Sequence, residues 1–118
     1  MNRHSHLPIY QAFYKFSLEA YRMSEKLPRK LQGSLGLRLF ESSLVCLEGV
    51  IAANAAAVKE PEINGILTEL EKISVYLKML YDFKGISQGE YGVFSERLSE
   101  IAPQVVAWRK WDKSQARK

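Results

Sequence analysis

Histidine, cysteine and paired carboxylates carry much of protein-based chemistry. The first two are scarce here: the 118-residue chain has two histidines, His4 and His6, and one cysteine, Cys46. A di-iron carboxylate centre in a helical bundle needs inward glutamates and Glu-x-x-His pairs. Both histidines precede the first helical stretch, so that centre is excluded. His4-x-His6 offers a pair of ligands on a short arm, fewer than a stable zinc site uses. No metal or cofactor is expected. Gly33-Ser34-Leu35-Gly36 is too short for a phosphate loop and follows no strand. No Ser/His/Asp or Cys/His set forms without a histidine on a helix. Glu69 and Glu71 point in different directions on a helix and make no acid–base pair. The chain is therefore expected not to be an enzyme. Cys46 lies in an apolar stretch with no disulfide partner. It reads as a small core residue in a reducing, cytoplasmic compartment. The rival reading, a reactive thiol, needs a nearby base, and both histidines are far away in sequence.

Charge is the strongest functional signal. The formal net charge of +4 is unevenly spread. Residues 1–108 carry 12 basic and 12 acidic side chains, so the excess lies in residues 109–118, where Arg109, Lys110, Lys113, Arg117 and Lys118 face Asp112 alone. Residues 1–58 hold seven basic and four acidic groups, and residues 59–108 five basic and eight acidic. This polarity suggests one face for a polyanion and another for a basic partner. The cationic candidates are Arg22, Lys26, Arg29, Lys30 and Arg38, with Arg109, Lys110 and Lys113 in the tail. Lysine and arginine on phosphates give sequence-independent, salt-sensitive affinity. The competing reading is a solvated basic end with no specific partner. Tyr10, Tyr14 and Tyr21 share a helix face. They either stack on bases or, more commonly, line a core edge or subunit contact with their hydroxyls in water. Trp108 continues a core stripe. Trp111 either stacks on a base or anchors the tail.

Helices must position these residues, because apolar spacings of three and four run throughout. The first stripe is Ile9, Phe13, Phe16, Ala20, Met23 and Leu27, ended by Pro28. The second segment, about 28–58, has two stripes. One is Phe40, Leu44, Leu47, Ile51 and Val58; the other is small, Ser42, Cys46, Gly49, Ala53 and Ala56. Apolar on most sides, this helix should be buried at the centre of a bundle or form part of a subunit interface. Gly33 and Gly36 weaken its start and allow a local break. The third stripe is Ile63, Ile66, Leu70, Ile73, Leu77 and Leu80, with Pro61 early in the helix and Gly85 as a stop. The fourth is Tyr91, Phe94, Leu98, Ile101, Val105 and Trp108, opened by a Ser87–Glu90 capping box. Pro103 should kink it or remove one hydrogen bond. Hydrophobic residues form 47% of the chain, enough for one core, and a domain this short gains from self-association. The segment Met1 to Pro8 lacks a signal-peptide apolar region. The most apolar stretch, Leu44 to Val58, contains Glu48 and Asn54 and falls short of the ~20 residues a membrane span needs. The expected fold is all-α: an up-down-up-down antiparallel four-helix bundle in a single domain over 1–118, with a loose arm at 1–7 and a basic tail at 114–118.

Four runs of residues carry a family resemblance. The first is Leu27-Pro28-Arg29-Lys30 followed by Gly33 and Leu35-Gly36-x-Arg38-Leu39. The second is Leu47-Glu48-Gly49-Val50-Ile51-Ala52-Ala53. The third is Leu70-x-x-Ile73-x-x-x-Leu77-x-x-Leu80-Tyr81. The fourth is Leu98-x-x-Ile101-x-x-x-Val105-x-x-Trp108 before a basic tail. In this order and spacing the chain, from Ile9 onward, resembles the accessory variability determinant (Avd) proteins of diversity-generating retroelements. That family belongs to a wider group of small four-helix bundles that includes proteins encoded in intervening sequences of large-subunit ribosomal RNA genes. Those relatives usually show Asn-Ile-Ala-Glu-Gly in the second helix. Leu47-Glu48-Gly49-Val50-Ile51 departs from it, which favours the retroelement branch. The resemblance implies a homopentameric barrel that binds a reverse transcriptase and template RNA or DNA. It would support adenine-directed mutagenic copying and retrohoming, with the chemistry left to the reverse transcriptase. The alternative is a structural bundle of the ribosomal intervening-sequence type with no retroelement partner. Pro103 departs from the smoother helical run expected near the end of the fourth helix.

Overall fold

Proline positions and capping chemistry define the helix boundaries. The computed structural model describes residues 3–116. Helix α1 spans Pro8–Glu25, α2 is the short turn Arg29–Leu31, α3 spans Leu37–Ala55, α4 Glu60–Asp82 and α5 Gln88–Ala116. A π-helical segment, Gln32–Gly36, carries α2 into α3, so the described residues form four helical rods. Pro8 and Pro61 occupy first-turn positions of α1 and α4, where a missing N–H costs nothing. At α5 the Ser87 hydroxyl accepts the Glu90 N–H at 3.1 Å, and the Glu90 carboxylate accepts the Ser87 N–H at 2.9 Å. This is the expected capping box.

Packing closes a ring of neighbours. α1 packs on α3, α3 on α4, α4 on α5, and α5 returns to α1. The predicted stripes of α1 and α4 are buried throughout, as are Phe94, Leu98, Ile101 and Val105 of α5. The Arg97 guanidinium fastens α5 to α1, donating from Nε and Nη2 to both oxygens of Glu19 at 2.8–3.1 Å. Phe16 and Phe94 meet edge to face beside it, with ring centroids 5.7 Å apart. No buried side-chain polar atom among the described residues lacks a partner. Ser17 and Ser43 satisfy themselves on the carbonyls of Phe13 and Phe40.

The second rod differs from expectation in three ways. Its core face is Leu39, Ser43, Cys46, Val50 and Ala53. Phe40, Leu44 and Leu47 are only half-buried, and Ile51 is exposed. The reason is close approach by α4: a Cβ on Gly49 would lie 2.7 Å from Ile66 Cγ1, so the small residues face the partner helix. Second, the glycines produce a π segment rather than a break. Gly36 is required there, because a Cβ would lie 2.7 Å from Leu27 Cδ1 and 3.0 Å from the Leu31 carbonyl. Third, the helix stops at Ala55, and Val58 is 70% exposed. The Lys59 ammonium donates to the carbonyls of Ala53, Asn54 and Ala56 at 2.8–3.2 Å, satisfying the end of α3.

The described residues at both ends of the chain are helical. Arg3–His6 form a 3-10 turn rather than a loose arm. His4 packs its ring on Tyr10 at 4.8 Å, and Leu7 packs on the core. The tail from residue 114 continues α5 to Ala116; the remaining tail residues, Arg117 and Lys118, lie outside the described residues. Pro103 lies inside α5, exposed, and the helix continues through it.

Candidate nucleic-acid interface

The eight cationic candidates do not form one site. Arg29 and Lys30 are bracketed by Leu27 and Leu31. Both leucines lie against Gly85, the connection between α4 and α5. Lys26 caps the end of α1, and Arg22 lies one turn before it. These four side chains are exposed and form no salt bridge among the described residues. Glu25 lies among them; its carbonyl accepts the Gln32 amide at 2.9 Å, which pins α2 to α1.

The tail cations occupy the opposite end. Arg109 Nη1 donates to Asn64 Oδ1 at 3.0 Å, and Lys113 Nζ lies 3.7 Å from Glu60 Oε1. Asn64 and Glu60 belong to the start of α4, whereas Gly85 follows its end. A helix of that length spans about 34 Å, most of the bundle's long axis. Lys110 is exposed without a salt bridge, so it alone of the tail candidates is uncommitted among the described residues. Arg38 belongs to neither end. It borders a depression between α3 and α4 together with Glu41, Glu69, Lys72 and Tyr76. Lys72 is already bonded to Glu69 at 2.9 Å, and that interaction raises its pKa.

Two residues that sequence reasoning missed join the free basic end: Phe83 and Lys84. α4 ends in paired turn hydrogen bonds, from the Gly85 N–H to the Leu80 carbonyl at 2.8 Å and from the Lys84 N–H to the Tyr81 carbonyl at 2.9 Å. The left-handed residue of this motif is Lys84, with φ 61°, and not the expected Gly85. Gly85 is needed for a different reason: a Cβ there would lie 2.6 Å from Leu31 Cδ1 and 3.3 Å from the Leu80 carbonyl. The one sequence signal was an aromatic–lysine pair beside a glycine.

The aromatic residues divide as well. Tyr10 stacks on Tyr14 at 6.1 Å, and Tyr21 meets Phe40 edge-on at 5.2 Å. They line the α1–α3 flank, where Tyr14, Leu18, Tyr21 and Ile51 are exposed. Trp108 packs on the core, and Trp111 is exposed. Between α4 and α5 runs a groove of about 700 Å³, lined by Leu67, Ser74, Tyr91, Ser95 and Ala102, with Glu71 its one charged wall residue. Cys46 is fully buried with Sγ 3.9 Å from the Ile66 carbonyl. Desolvation, helped by Glu69, pushes its thiol up to about 12, so it is a packing residue and a poor nucleophile. No cluster of three or more potential metal ligands occurs among the described residues. No described helix is long and apolar enough to cross a membrane.

The fold and its charge distribution define a small all-helical protein with one uncommitted basic end. No protein-family model matches the chain, and no curated protein matches it significantly.

Proposed function

We propose that the chain is a non-catalytic accessory protein of a diversity-generating retroelement, which binds the reverse transcriptase and the template RNA or DNA during mutagenic copying and retrohoming. The observation that carries this reading is the free cationic end: Arg22, Lys26, Arg29 and Lys30 are exposed and form no salt bridge among the described residues. Charges held this way are available to phosphates. The family resemblance of the sequence supplies the retroelement context.

An up-down-up-down course of the rods fits the observed pairings. Tyr81 stacks on Tyr91 near one end of α4, and Asn64 meets Arg109 near the other. Self-association is supported by the apolar α1–α3 flank, which leaves Tyr14, Leu18, Tyr21 and Ile51 in solvent, and the family resemblance supplies the homopentamer. The acidic second half of the chain suits a basic protein partner such as the reverse transcriptase. Glu62 and Glu71 of α4 and Glu96 and Glu100 of α5 form no salt bridge among the described residues, while Lys59, Lys72, Lys78 and Arg97 are each engaged within the chain. The single buried cysteine suits a cytoplasmic setting.

The test is light scattering of the purified protein with and without the reverse transcriptase of its element, paired with nucleic-acid titrations over a salt series. A pentamer that forms a stable complex with the enzyme is expected. The double variant Arg29→Glu/Lys30→Glu should lower the slope of log affinity against log salt by ~0.7–0.9 for each phosphate no longer engaged. A monomer or dimer that ignores the enzyme, with unchanged nucleic-acid binding by the variant, would move the protein to the structural bundles of the ribosomal intervening-sequence type.

A further inference from the structure

Phe83 is the most exposed aromatic side chain among the described residues, at 62%. Phenylalanine has no hydroxyl to offer water, so its exposure is unexplained by the fold. The backbone beneath it is pinned by the Gly85–Leu80 and Lys84–Tyr81 hydrogen bonds, and by Gly85 seated on Leu27 and Leu31. That seating brings the 83–85 turn onto the Leu27–Leu31 segment, which carries Arg29 and Lys30, with Lys26 one residue before Leu27. The neighbouring carboxylates are largely committed. Asp82 is held by Lys78 at 2.8 Å, and Glu90 accepts the Ser87 N–H. Among the described residues, Glu25 is the one acidic group there without such a bond.

We infer that this end of the bundle is a binding site for single-stranded nucleic acid, with a base stacked on Phe83 and the adjoining phosphates on Lys26, Arg29, Lys30 and Lys84. The inference rests on the nucleic-acid reading above and deepens it. An aromatic face amid cations is the recurring means of holding single strands without sequence preference. A duplex keeps its base faces stacked inside and offers only phosphates to the same surface. The fixed Schellman turn makes the platform preorganised, and the left-handed Lys84 keeps a cation at a position that glycine usually fills.

The test is fluorescence anisotropy at low salt with a labelled oligothymidylate and a duplex of equal length. The wild-type chain should prefer the single strand. Phe83→Ala should weaken single-strand binding by about 5- to 100-fold and leave duplex binding within about twofold. Phe83→Trp should restore it, and Phe83→Leu, which keeps bulk without an aromatic face, should not. Trp111→Ala, at the other end, should leave both ligands unaffected. If the wild-type chain binds neither ligand, the nucleic-acid part of the proposed function fails with this inference. If it binds both and Phe83→Ala changes neither, or if Trp111→Ala causes the loss instead, this inference alone is overturned. Thermal unfolding of each variant, followed by circular dichroism, separates impaired binding from impaired folding.

Discussion

The two ends of the bundle hold comparable numbers of cations but dispose of them differently. At the Arg29–Lys30 end the basic groups are exposed and form no salt bridge among the described residues. At the other end the chain uses its cations on itself, Lys110 excepted. Arg109 serves Asn64, Lys113 approaches Glu60, and Lys59 closes α3. A cation spent on a carbonyl or carboxylate has lower affinity to give to a phosphate, because the existing partner must be exchanged. Net charge therefore locates a basic segment, and partner geometry decides whether it is a surface for polyanions.

The largest expected effect is steric. Gly36→Val at the free end drives a side chain into Leu27 and the Leu31 carbonyl and should cost about 2–3 kcal/mol in urea unfolding. Gly65→Ala, near the start of α4 with no atom within 4 Å of the added Cβ, should instead stabilise by about 0.5–1 kcal/mol. Equal effects at the two glycines would erase the contrast in packing. Next is Lys59→Met, which strips three carbonyls of a donor at the committed end. It should lower stability by about 1 kcal/mol with little change in nucleic-acid affinity. A large loss of affinity would place that end in the binding surface after all. The smallest effect is Lys84→Gly, which relieves a left-handed lysine. It should raise the unfolding free energy by up to ~1 kcal/mol while removing one cation from the free end. A fall in stability would mean that the Lys84 side chain makes an interaction worth more than its backbone strain.

Local chemistry was legible in the sequence. The stripes of α1 and α4, the Ser87–Glu90 box and the early Pro61 follow from side-chain periodicity and backbone hydrogen-bonding needs, which act within a few residues. The buried Cys46 was legible for the same reason. The second rod was not, because both of its faces are apolar and periodicity alone does not rank them. The close approach of Ile66 at Gly49 chose the small one.

The candidate site shows the same division. Its residue types and charge imbalance were fixed by sequence, since ionisation is a property of the side chain itself. Their grouping was not. Separating Arg109 from Arg29 by the length of α4, spending Lys59 on the end of α3, tying Glu19 to Arg97 and bringing Phe83 and Lys84 to the free basic end all require elements distant in the chain to meet. Coulomb and hydrogen-bond energies depend on distances of a few ångströms, and only the packed tertiary structure supplies those distances.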